Sequence, residues 1–137
     1  MRYRLIDHTA DVGVHIFGQN QERLFENAAE AMFSLMIEGS VQDKTETVQI
    51  TLSGDTPEDL LMTWLRTLLS LFNVKNLIVL KTRIHSISGN SLSADLTITP
   101  FDAALHSIQN EIKAVTYHGL TVEKKDDRWF AQVIFDV

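Results

Sequence analysis

The chain ends in Trp129-Phe130-Ala131-Gln132-Val133-Ile134-Phe135-Asp136-Val137, an apolar run broken by one acid a single peptide from the Val137 α-carboxylate. Two negative groups are thereby set at one strand end. Near the start, residues 7–15 read DHTADVGVH, and Asp11 adds a third acid if the fold brings the two ends of the chain together. Like charges held close raise the energy unless a cation compensates them or a carboxyl takes up a proton. The compensating cation is either a lysine or a hard divalent metal. Lys113, isolated in the β-prone segment Glu111-Ile112-Lys113-Ala114-Val115-Thr116-Tyr117-His118, is the lysine candidate. Oxygen-only ligands completed by water suit Ca²⁺ or Mg²⁺ better than zinc. The alternative for Asp136 and Lys113 is an exposed strand face, and for Asp7, His8, Thr9 and Asp11 a polar turn. Spacing alone leaves both open.

Other chemistries lack residues to perform them. There is no cysteine, which excludes thiolate metal sites, a thiol nucleophile and a disulfide framework. No GxGxxG, GxxxxGK[ST], HExxH, GxSxG or EF-hand spacing occurs. The five histidines are scattered, and His8 and His15, seven apart in a strand-like segment, point to opposite faces and do not chelate together. With 18 acids against 12 bases and a net charge of −6, the chain is a poor primary nucleic-acid binder, so any RNA is reached through a partner. No basic segment followed by an apolar one opens the chain, and no apolar run approaches the ~20 residues of a membrane span. The expectation is a cytoplasmic protein without a membrane partner.

These residues must be positioned by a scaffold, and 137 residues with 45% hydrophobic and 22% charged content predict one domain over residues 1–137 with its own core. Alternation over residues 1–6 and 11–18 predicts two strands flanking DHTA. From Asn20, a capping residue, Leu24, Phe25, Ala28, Ala29, Met32, Phe33 and Met36 recur at helical spacing up to Gly39. Val48, Ile50 and Leu52 predict a strand. Thr56-Pro57-Glu58-Asp59 opens a second helix, with a capping hydroxyl, proline at the first position and two acids where the dipole favours them. Its apolar stripe, Leu60 to Phe72, is wide enough for burial between two layers. Residues 77–88 and 92–99 read as a hairpin with Gly89 or Asn90 at positive φ, and 112–122 and 129–137 as two strands joined by a polar turn. Residues 100–110 are ambiguous between loop and short helix. The sum is six or seven strands and two amphipathic helices. Short connections favour antiparallel pairing, hence an α+β class with mainly antiparallel sheets.

DHTADVGVH, the helix Leu24-Phe25-Glu26-Asn27-Ala28-Ala29-Glu30-Ala31-Met32-Phe33, Trp64-Leu65 through Leu71-Phe72, IKAVTYHGL and the terminal VIFDV together closely resemble the archease family in order and placement. The resemblance implies a small accessory protein, not itself an enzyme, that activates an RtcB-type tRNA-splicing RNA ligase by promoting its guanylylation and multiple turnover. It implies a divalent cation, calcium in the family, held by Asp11, Asp136 and Val137, with Lys113 as a functional lysine and Asp7 and His8 as supporting turn residues. RNA is then met only through the ligase. The chain departs from the family at Leu68-Leu69-Ser70-Leu71-Phe72, where members often carry an aromatic, and residues 73–110 match it weakly. Two other functions stay open from the residues themselves: a stand-alone metal-dependent hydrolase and a chaperone-like interaction module.

Overall fold

The computed structural model describes residues 2–7, 11–39 and 44–137. The elements run β1 (Tyr3–Asp7), β2 (Asp11–Gly18), α1 (Gln21–Met36), β3 (Ile37–Gly39), β4 (Glu46–Ser53), α2 (Pro57–Lys75), β5 (Leu77–Ser88), β6 (Ser91–Pro100), β7 (His106–Ile108), β8 (Ala114–Lys125) and β9 (Arg128–Asp136). Every strand pairing is antiparallel. A four-stranded sheet has the order β1-β2-β9-β8, a three-stranded sheet the order β4-β6-β5, and β3 pairs with β7. The expected α+β class therefore holds.

Both helices start where the sequence signals them. The Asn20 side chain accepts from the Arg23 N–H at 2.8 Å and the Thr56 hydroxyl from the Asp59 N–H at 3.1 Å, each satisfying a donor that the first turn leaves without a helical partner. α2 closes on Asn76 in the left-handed conformation, φ 57°. Each helix touches both larger sheets: α1 packs on β2 and β5, α2 on β8, β5 and β4. The wide stripe of α2 is accounted for by that double contact. Leu60, Leu61, Met62, Trp64, Leu65 and Leu68 are all at most 1% exposed. The core faces of the first sheet, Val14 and Ile16 on β2 and Ala131, Val133 and Phe135 on β9, are fully buried beneath the helices. Among the described residues, no helix is long and apolar enough to cross a membrane.

Three expectations are corrected. The first helix stops at Met36, not Gly39, because Ile37 adopts φ −129°, ψ 136° and joins Ile108 across the β3–β7 ladder. Residues 106–108, which read as loop or helix, are that partner strand, so among the described residues nine strands replace six or seven. A three-residue ladder has too few positions for a period to be detected, so only the tertiary pairing reveals it. The strand expected from Ile112 begins at Ala114. In the hairpin, Gly89 supplies the positive φ, 61°.

A pattern absent from the expectations recurs at both helix entries: a glycine two residues before the cap. A Cβ on Gly18 would lie 2.4 Å from the Leu24 nitrogen, and one on Gly54 2.7 Å from the Leu60 nitrogen. Each helix thus folds back onto the strand that feeds it, so closely that backbone meets backbone. Because the neighbour is main chain and cannot rotate away, Gly18→Ala is expected to destabilise by about 2 kcal/mol through forced displacement of α1. Urea denaturation checks this, and a midpoint equal to wild type would contradict it.

Candidate functional site

β2 begins at Asp11 and β9 ends at Asp136, and the antiparallel register sets these two residues directly opposite one another. Val14 and Ile16 face the helices, so strand alternation turns Asp11 and Asp136 to the outer face, with Gly13, His15, Phe17, Phe130, Gln132 and Ile134. Residues paired in this way hold their Cβ atoms about 5 Å apart, and like charges there are destabilising. Both acids are half-buried and Val137 follows directly. Ala114 lies on the other side of Asp136, and the Lys113 N–H donates to the Asp136 carbonyl at 2.7 Å. Asp11, Asp136, Val137 and Lys113, separated by up to 126 positions in sequence, thus meet at one end of one sheet. Asp7 is the last residue of β1, opposite Val12. Its side chain and the whole of His8 lie outside the described residues, so their supporting role remains an expectation.

Among the described residues, no three His, Asp or Glu side chains group to hold a metal. Among the described residues, a cation at this end would draw on the two aspartates, with backbone oxygens or water completing its shell. That donor set is compatible with a hard divalent ion and unsuited to zinc.

α2 fixes the approach to Lys113. The Arg66 guanidinium donates to the Val115 carbonyl at 3.3 Å and the Asn73 amide to the Ile112 carbonyl at 3.2 Å, so α2 side chains occupy carbonyls on the outer edge of the sheet. Arg66 also lies over the Tyr117 ring, 4.9 Å from its centroid. Between α2 and residues 113–115 runs an open groove of about 300 Å³, lined also by Ser70.

Two further features escaped the sequence reading. Between Thr116 and Thr121 the β8–β9 register shifts, and residues 117–120 bulge out, with Gly119 at φ 65°. A chain of side chains crosses all four strands to reach that bulge: Arg4 Nη2 to His15 Nδ1 at 2.9 Å, His15 Nε2 to Gln132 Oε1 at 2.9 Å, and Gln132 Nε2 to the Gly119 carbonyl at 2.8 Å. A guanidinium only donates, so His15 Nδ1 accepts and its Nε2–H donates to the Gln132 carbonyl oxygen. Both ring nitrogens of His15 are thereby engaged in tying the strands of the sheet together. The only sequence signal was its polarity opposite a core face; the register that aligns it with Gln132 is not encoded locally.

The archease protein family model matches residues 3–137. The chain belongs to the archease family. It is 35% identical over 140 residues to the archease of Methanosarcina barkeri, covering 99% of this chain and 96% of that one. It is 31% identical over 137 residues to that of Archaeoglobus fulgidus, covering 100% of both. The solution structure of Methanobacterium thermoautotrophicum protein 1598 superposes with a TM-score of 0.71 at 30% identity, over 98% of each chain. The crystal structure of a Thermotoga maritima archease, described as a possible chaperone, superposes with a TM-score of 0.67 at 27% identity over 100% of this chain and 98% of that one. Family and fold, expected from DHTADVGVH, IKAVTYHGL and VIFDV, thus stand on the whole chain.

Proposed function

We propose that this archease-family protein activates an RtcB-type tRNA-splicing RNA ligase, promoting its guanylylation and multiple turnover, and that it is not itself an enzyme. The observation that carries the reading is the register of Asp11 opposite Asp136, with Val137 and Lys113 beside them. Two carboxylates aligned across a ladder at a sheet end form an acidic tip that can enter a partner's site, where a substrate cleft would instead be concave. Asp11, Asp136 and Val137 would hold a divalent cation, calcium or magnesium by their donor chemistry; such an ion supplies positive charge against developing phosphate charge. The backbone bond from Lys113 to Asp136 and the α2 contacts at Ile112 and Val115 keep the lysine and the acids in fixed relation. RNA is engaged through the ligase, in keeping with the net charge of −6.

The test is RNA ligation by the matching ligase at substoichiometric enzyme, with GTP and divalent metal. Wild-type protein is expected to convert single into multiple turnover, and Asp136→Ala to lose that stimulation while remaining folded. Equal stimulation by the variant would remove the acidic tip from the mechanism. The description of the Thermotoga relative as a possible chaperone favours a second reading, a module that holds protein partners soluble. Suppression of aggregation of unrelated proteins, with no effect on the ligase, would establish that one instead.

A further inference from the structure

Seven residues along β2 from the acidic tip, about 23 Å away at strand rise, the same sheet ends at Gly18 opposite Trp129. A cavity of about 460 Å³ opens there, and its lining includes Arg2, Arg23, Arg128, Phe17 and Asn27. Three of the twelve basic residues of an acidic chain thus line one cavity, and no carboxylate lines it with them.

Their hydrogen-bonding capacity is only partly used. Arg2 gives one terminal nitrogen to Glu30 at 2.6 Å and Arg23 one to Glu26 at 2.7 Å. Glu26 is held in turn by the Ile84 N–H at 2.9 Å on its second oxygen, so the Arg23 pair is anchored at its acid end. A guanidinium carries five N–H donors, and a contact through one nitrogen leaves the rest of the fork for another acceptor. Arg128 makes no ion pair among the described residues; its guanidinium rests over the Phe17 ring, 4.8 Å from the centroid. In the adjacent turn Lys125 pairs with Glu123 at 3.3 Å, and Glu30 and Glu26 stand beside Arg2 and Arg23, so the cavity cation without an ion pair among the described residues is Arg128.

We propose that this cavity binds the phosphate of a nucleotide-sized ester, with Arg128, Arg23 and Arg2 as the anion ligands. Forked guanidiniums match phosphate oxygens two at a time, which a point-charge amine does not. The volume falls in the range of small-ligand sites and exceeds what one inorganic phosphate fills, and Phe17 gives the remainder of the ligand an apolar wall. Gly18 and Gln19, leading into α1, complete the rim, so the positive end of that helix adds to the field. The site is remote from the acidic tip and stands whether or not the ligase reading does.

The experiment titrates the isolated full chain with inorganic phosphate, AMP, GMP and a hexanucleotide RNA lacking terminal phosphate, followed by backbone NMR shifts and calorimetry. AMP and GMP are expected to bind more tightly than phosphate and to shift residues 17–23 and 128–130. Arg128→Gln and, separately, Arg2→Gln should weaken binding about tenfold or more, as loss of a charge-assisted fork predicts. Asp136→Asn should leave it unchanged. No binding up to about 10 mM nucleotide, or binding indifferent to both arginine variants, overturns the proposal. RNA binding about tenfold tighter than either mononucleotide also overturns it, in favour of a polynucleotide groove.

Discussion

Asp11→Asn/Asp136→Asn is expected to abolish the effect of calcium on the melting temperature while leaving the metal-free protein at least as stable as wild type. The two carboxylates face each other across the β2–β9 ladder, and asparagine keeps their shape while removing both charges. In metal-free buffer the loss of like-charge opposition is worth up to about 1 kcal/mol in favour of the variant. If the acidic tip holds calcium as proposed, a hundredfold excess over the dissociation constant is expected to stabilise the wild-type fold by about 2.7 kcal/mol, because the unfolded chain does not hold the two ends together. For a domain of this size that corresponds to a rise of roughly 8 °C, which the variant should lose. Calorimetry with and without calcium, and with magnesium as comparison, decides it. An equal rise in both proteins would take Asp11 and Asp136 out of the ligand set, and a metal-free variant clearly less stable than wild type would give them a structural role instead.

That prediction rests on a juxtaposition whose parts were readable but whose geometry was not. Asp136 stood out because it interrupts an apolar strand, and Asp11 because it opens an alternating one; that they are neighbours depends on β9 pairing with β2 across more than a hundred residues, a choice no local pattern contains. Helix starts, by contrast, are written in a few residues, and Asn20 and Thr56 cap where their side chains imply. Helix ends are less local. The apolar spacing of α1 runs past Met36, yet Ile37 turns to extended backbone because Ile108 offers it a strand partner. The arginine cavity was hidden for the same reason as the acidic tip: Arg2, Arg23 and Arg128 are far apart in sequence, and net charge averages them into an acidic whole. Family resemblance assigned the acids because the motifs that carry it contain them, and it was silent on the arginines because none of the motifs bears Arg2 or Arg128.

Trp64→Ala should have the largest effect on stability of any single substitution in the helix layer. The indole is completely buried on α2, and its N–H donates to the Phe25 carbonyl of α1 at 2.9 Å, so one side chain both fills the layer and ties its two helices together. Truncation of such a residue costs about 3–5 kcal/mol through lost burial and the cavity left behind, a large share of the roughly 5–15 kcal/mol available to a domain. Trp64→Phe separates the two contributions: it keeps most of the ring volume and removes only the donor, for about 1–2 kcal/mol. Urea denaturation should show both as midpoint shifts at unchanged slope, with alanine at least twice as costly as phenylalanine. Equal costs would make the hydrogen bond, not the packing, the tie. Because α2 also carries Arg66 and Asn73, which hold the carbonyls leading to Lys113, loosening this helix should weaken the lysine's placement before it disturbs the acid pair on the far face of the sheet. Trp64→Phe is therefore expected to retain the calcium response that Asp11→Asn/Asp136→Asn loses, which separates damage to the scaffold from damage to the tip it supports.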